Sequence, residues 1–391
     1  MPTYAALANL DGGKKQLMVV ERIVRGGPIP DGEAADFVRD ARCVAELDHP
    51  NIARIREVAI RSEDVIVASD FVDGERLSEL LLVKAPLDAA ARAADVPSAL
   101  PRSGPQLDVS LRILVDVLTG LGALHNLRDA KRQPLKLVHG ELWPANVVVG
   151  IDGTSRVVHA CRVKSQAMRP GALGSGYLAP EVLLADGTAD ARADVYSAGA
   201  ILWEMLSGKA LFPNTNPHAI VAHLLSGKVA RAQTPLDAPW AAELAIVAER
   251  ALAADPKKRF GTAAEMVAEI RRVAGPKLAT TGRVAMLVKS ALGDKVSARR
   301  AQLEAMAGAP APKAAPVAST TTTAARAQSA PQLTTPARAM PEVAQAAGEE
   351  SFADIAWDVP IDEADPVFAT NEKPSVAGAP VTPAPAHMPP K

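Results

Sequence analysis

Apolar positions along the chain change period several times, and each change marks an element. Tyr4 to Leu10 and Gln16 to Ile23 are β-rich runs on either side of Asp11-Gly12-Gly13, so the spacing predicts a hairpin at the start. From Asp31 to Leu47 the period becomes helical, with Ala34, Phe37, Val38, Ala41, Val44 and Ala45 on one stripe and Asp31 or Asp36 as a cap. Val65 to Val72 reads as a strand leading to Asp73-Gly74. Lys84 to Leu107, rich in Ala, Pro and Ser, is too long for a compact connection and reads as a surface insertion. Val109 to Leu127 is strongly amphipathic, with Leu111, Leu114, Val115, Leu118, Leu121 and Leu124 recurring at helical spacing. A polar loop, His139 to Asn146, then feeds Val147 to Val149, an Asp152-Gly153 turn and Val157-Val158, the pattern of a second hairpin.

The last hundred residues change character. Val284, Leu287, Val288 and Leu292 predict a further helix or helical hairpin between Lys277 and Met306. From Gly308 onward Pro, Ala and Thr dominate, including Thr320 to Thr323, and such a composition buries too little apolar surface to offset its ordering entropy. One island within it, Glu349 to Val359, mixes acids with Phe352, Ile355 and Trp357. Those are anchor types of small interfaces, so the island is read either as a docking motif for a protein partner or as plain linker.

Composition narrows the classes. A chain of 391 residues with 48% apolar content holds one large domain and an appendage. A net charge of −1 gives no electrostatic case for nucleic acid or an anionic membrane. Cys43 and Cys161 are the two cysteines, which argues against a disulfide framework and fits a reducing compartment. With no signal-peptide pattern and no apolar run of spanning length, the expected location is cytoplasmic.

Several motifs, in order and over about residues 3–273, give the chain its resemblance to the eukaryotic-type Ser/Thr protein kinases. His139, Leu142, Pro144 and Asn146 match the catalytic-loop pattern H-R-D-L-K-P-x-N. Tyr177-Leu178-Ala179-Pro180-Glu181 matches Y-x-A-P-E, Asp194 to Gly199 matches D-x-x-S-x-G, and Asp255 to Arg259 matches D-P-x-x-R. The resemblance implies an α+β, bilobal protein-kinase-like fold. Its small β-rich lobe (residues 1–74) is without the first strand and Gly-rich loop, and its larger helical lobe spans 75–275, with a flexible insertion at 83–107. A helical extension (276–307) and a disordered tail (308–391) follow. It also implies structural roles: Glu181 and Arg259 as a buried ion pair, and Asp194 holding the backbone of the loop that begins at His139. Losing one partner of such a buried pair costs about 3–5 kcal/mol.

Positions that would touch phosphate or metal depart from the pattern. Glu21 stands where V-A-x-K has its Lys, Asp40 where the small-lobe helix has its Glu, and Gly140, Glu141 and Trp143 where the loop has Arg, Asp and Lys. His159-Ala160-Cys161 stands in register with D-F-G. Phosphoryl transfer needs one carboxylate to orient the attacking hydroxyl and another to hold Mg²⁺. Glu141 is one methylene longer than the first, and His159 replaces the second. Glu21 and Asp40 are expected either to meet as an acid–acid contact, favourable only around a proton or small cation, or to turn outward to water. The reading is a catalytically impaired protein-kinase-like protein (a pseudokinase), a scaffold or allosteric regulator acting on a protein partner. The alternative is a weak or atypical ATP-dependent Ser/Thr kinase using Glu141 as base and Asn146 as metal ligand. A third reading is nucleotide binding without turnover. No cofactor is expected; ATP and Mg²⁺ enter only with residual nucleotide binding.

Overall fold

The computed structural model describes residues 3–10, 14–24, 39–60, 64–82, 106–160, 175–183, 189–212, 220, 229, 231–233, 239–307 and 360–361. Its first layer is a five-stranded sheet. Strands β1 (Thr3–Leu10) and β2 (Lys14–Val24) form an antiparallel hairpin, in register from Thr3 opposite Glu21 to Leu10 opposite Lys14. β3 (Ile55–Ile60) and β4 (Asp64–Asp70) complete one side, and the two-residue β8 (Pro360–Ile361) lies on the outer edge of β1, giving the order β3-β4-β2-β1-β8. The period of two divides β4 between two packed faces. Ile66 and Ala68 join Ala6, Ala8, Met18 and Val20, whereas Val65 and Val67 pack with Ala41 and Val44 of α1 (residues 39–45).

A second, three-stranded sheet joins the lobes: β5 (Gly74–Arg76), β6 (Val147–Gly150) and β7 (Ser155–Val157), all antiparallel. The approach at Gly74 leaves no room for a side chain, since a Cβ there would lie 2.3 Å from the Val149 carbonyl oxygen. After α2 (Leu77–Leu82), the large lobe is built on α3 (Leu107–His125), whose Leu111, Leu114, Leu118 and Leu121 are fully buried. This helix begins two residues before the amphipathic run suggests. Leu107, expected at the end of the insertion, is therefore a buried helical residue, because its side chain joins the main core.

Short helix α4 (Pro180–Leu183) precedes α5 (Ala191–Ser207), which Asp190 caps by accepting the Arg192 backbone N–H at 2.9 Å. α6 (Pro239–Ala251) and α7 (Ala263–Ala274) pack around α3 and α5. α8 (Thr281–Ala307) is a single 27-residue helix, not a helical hairpin. It lies against α3, β1, β5 and β6, with Val284, Val288, Val296 and Leu303 buried. The rest of the insertion and, apart from Pro360–Ile361, the tail lie outside the described residues, Phe352 and Trp357 among them. No described helix is long and apolar enough to cross a membrane.

Candidate functional site

The loop opening at His139 is held by a buried carboxylate. Asp194, in the first turn of α5, accepts the backbone N–H groups of His139 (2.8 Å) and Gly140 (2.9 Å) and lies 2.7 Å from His125 Nε2. Burial alone would push the Asp194 carboxyl upward; the His125 contact and the donated N–H groups outweigh it and hold the group below its usual range. Gly140 sits at φ +74°, a left-handed backbone that glycine adopts without cost. The His139 ring accepts the Glu141 N–H at Nδ1 (3.3 Å), so Nε2 carries the proton donated to the Val158 carbonyl (2.9 Å). Asn146, also buried, donates its side-chain amide to the Glu141 carbonyl oxygen at 2.8 Å. Trp143 is half-buried and extended, just ahead of the 3₁₀ turn Pro144–Asn146.

Across the cleft each of the two acids has a basic neighbour. Glu21, 7% exposed, pairs with Nδ1 of His159, while Asp40, 8% exposed, takes Arg39 at 2.9 Å. Neither carboxylate turns out to water. His159 has a φ of +62°, in the left-handed region that His, Asn and Asp enter more readily than other residues. A Lys–Asp polarity across the cleft has become Glu–His. Among the described residues no group of three or more His, Cys, Asp or Glu could hold a metal ion.

Between the lobes a cavity of about 60 Å³ remains, lined by Val19, Ser69, Phe71, Arg76, Val148 and His159, and on one side by Arg299 from α8. A water molecule takes roughly 10–15 Å³ on this measure, so the space suits a handful of waters. Burial, and then the neighbouring Arg299, push the Arg76 guanidinium below its usual range despite the nearby Glu75, Glu21 and Glu79.

Arg299 belongs to a set of bridges that straps α8 across the hinge. Lys295 reaches Glu75 (3.2 Å) and Glu79 (3.0 Å); Arg299 reaches Glu75 (2.5 Å) and the Gly74 carbonyl oxygen (3.3 Å); Arg300 pairs with Asp73. Glu75 is 2% exposed. Burial works to raise its carboxyl, but Arg299 and the other donors prevail and hold it below the ordinary carboxylate range. Sequence reasoning missed this strap. Its acids and bases lie more than 200 positions apart, and the only local sign was a basic cluster on an Ala-rich helix.

Deeper in the large lobe, Arg259 meets Glu181 through two parallel bonds of 2.7 and 2.9 Å and spends its remaining donors on the Arg192, Ala253 and Ala254 carbonyls.

Comparison with known proteins agrees with this architecture. The family model described as "Protein kinase domain" matches residues 13–270, and the chain belongs to that family. Among curated relatives, it is 25% identical over 312 residues (78% of this chain, 46% of the relative) to the tyrosine-protein kinase MasK of Myxococcus xanthus. It is 27% identical over 248 residues (61% of this chain, 54% of the relative) to the serine/threonine-protein kinase PknL of Mycobacterium tuberculosis. A probable serine/threonine-protein kinase PknB of Lactococcus lactis matches at 27% over 243 residues (60% of this chain, 34% of the relative). The chain thus spans about half or less of the length of these relatives.

Proposed function

We propose that this protein is a catalytically impaired member of the protein kinase family, a scaffold or allosteric regulator that works through contacts with a protein partner. The observation that carries the reading is the Glu21–His159 pair. A magnesium-bound triphosphate calls for a cation at the first position and a carboxylate at the second. Here the carboxylate would face phosphate and the imidazole would face the metal, so the groups present do not fit that ligand. By contrast, Asp194 and the Glu181–Arg259 pair make the contacts that the family resemblance implies for them.

One arrangement favours the second reading, a weak or atypical phosphotransferase: the loop around Glu141 and Asn146 is fully braced, as a reacting loop must be. A thermal-shift titration with ATP and Mg²⁺, paired with a transfer assay on a basic protein substrate, separates the two. Ligand at 100 times its dissociation constant stabilises a folded protein by about 2.7 kcal/mol. We expect no shift in melting temperature and no transferred phosphate; a shift with transfer overturns the proposal.

A further inference from the structure

After α3 ends at His125 the chain makes a short, strongly basic hairpin before it reaches the loop that begins at His139. Leu135 donates its N–H to the Leu127 carbonyl (3.0 Å) and Asp129 donates its own to the Gln133 carbonyl (2.9 Å), with Arg128 opposite Pro134 between the two rungs. The period of two follows. Leu127 and Leu135 join Leu137 and, from α1, Ala41 and Val44 in one apolar cluster, whereas Arg128 and Pro134 are exposed. Between positions 126 and 136 stand four bases, Arg128, Lys131, Arg132 and Lys136, against the single acid Asp129, and all four are exposed. We propose that this hairpin is a docking surface for an acidic segment of a partner protein.

The backbone is the first support. Arg132 (φ +61°) and Lys136 (φ +52°) both lie in the left-handed region, which glycine enters without strain and a long side chain does not. Such strain persists only where the surroundings over-determine it, and it gathers at binding and catalytic sites. In this turn the Asp129 carboxylate accepts the Gln133 N–H (2.7 Å), the Asp129 carbonyl accepts the Arg132 N–H (2.8 Å), and Arg128 donates to the Arg132 carbonyl (2.9 Å). The bases are therefore displayed on a braced turn, which lowers the ordering cost of binding. Charge is the second support. Other surface arginines have a carboxylate at hand, as Arg54 has Asp48, Arg156 has Asp152 and Arg231 has Glu249. Lys131, Arg132 and Lys136 have none among the described residues. The dipole of α3 does not account for them, since its effect falls off within the last turn and Lys131 lies six residues past His125. Place is the third. The hairpin is rooted on α1 through the leucine cluster, and two residues after Leu137 comes His139, whose N–H the buried Asp194 holds. An occupant bears on both, which suits an allosteric regulator; to that extent the proposal rests on the function proposed above.

An acidic peptide fits this surface better than a nucleic acid does. Duplex DNA carries a charge about every 1.7 Å, and here Asp129 interrupts the bases. Further acids share this face: the Cys43 thiol of α1 is pushed up by burial first and then by Glu46, Asp40 and Asp129. No aromatic residue stands between positions 126 and 136 for a base to stack on. Carboxylates spaced along a peptide can meet the bases and pass the acids.

Fluorescence anisotropy with a labelled oligoglutamate peptide and the full chain tests this. The wild type should bind at low ionic strength and release the peptide as salt rises past about 0.1 M, where charges are screened beyond about 10 Å. Lys131→Gln, Arg132→Gly and Lys136→Gly together remove three charges and the strain, so binding should weaken about tenfold while the melting temperature holds or rises. Lys131→Glu, at an exposed position without left-handed backbone, should weaken binding on its own. Lys257→Gln, Lys258→Gln and Lys289→Gln, which remove as many exposed charges elsewhere, should leave it unchanged. No binding by the wild type, or equal loss in the two triple variants, overturns the proposal. So does tighter binding of a single-stranded oligothymidine that the hairpin variants abolish, since nucleic acid would then be the occupant. The ATP titration reports separately: phosphate transfer by a chain that binds the peptide through the hairpin sinks the impaired-kinase reading alone, and a chain blind to both ATP and peptide loses only the hairpin.

Discussion

At the scale of single residues, buried charges sort by whether their partner survives. Arg259 is 3% exposed and Glu181 9%, and the guanidinium satisfies its remaining donors on carbonyl groups. Glu181→Ala would leave a buried cation with three of its five hydrogen bonds and no counter-charge, so we expect a loss of about 3–5 kcal/mol in urea unfolding. Arg259→Met with Glu181→Leu should recover much of that, because an apolar pair strands no charge. A double variant as unstable as the single one would mean that packing, not charge, sets the cost. These two residues were legible in the sequence because each sits inside a motif that names its role. Glu21 and His159 were visible as substitutions but not as a pair: 138 positions separate them, and the backbone geometry that joins them, φ +62° at a histidine, leaves no mark in the residue pattern.

At the scale of elements, periodicity located β2, β4, α3 and the β6–β7 hairpin to within a few residues, since each buries a face of definite period. It gave a helix near Val284 but not where that helix lies, because its hinge contacts are ionic and carry no period. The strap should be sensitive to acid. Glu75 is held below its unfolded-state value, so its contribution to stability is complete above that value, about 4.3, and is lost as the pH falls through the depressed native one. We expect wild-type stability to fall more steeply between pH 5 and pH 3 than that of Glu75→Gln, whose curve should start lower and be flatter. Parallel curves would remove Glu75 from the account. Arg299→Ala should in turn open the cleft wall, seen as faster hydrogen exchange at Gly74–Arg76 with little change elsewhere.

For the whole molecule, the kinase domain defined by the family ends at residue 270, whereas the core does not. Val284 and Val288 belong to the same cluster as α3 and α5, and Gly153 in the β6–β7 turn approaches α8 so closely that a Cβ there would lie 2.0 Å from the Thr281 carbonyl oxygen. Four fully buried side chains, Val284, Val288, Val296 and Leu303, contribute roughly 1.5–3 kcal/mol each. Against a typical net stability of about 5–15 kcal/mol, losing them is not a trim but the removal of a wall. A chain ended after Lys277 should therefore aggregate or melt many degrees below the full chain, although it keeps every residue of the family domain. A chain ended after Gly308 should melt close to the full-length value, because it keeps all four of those buried side chains. Equal melting temperatures for the two truncations would mean that α8 is an appendage, and the hinge strap would then have to be explained by charge alone.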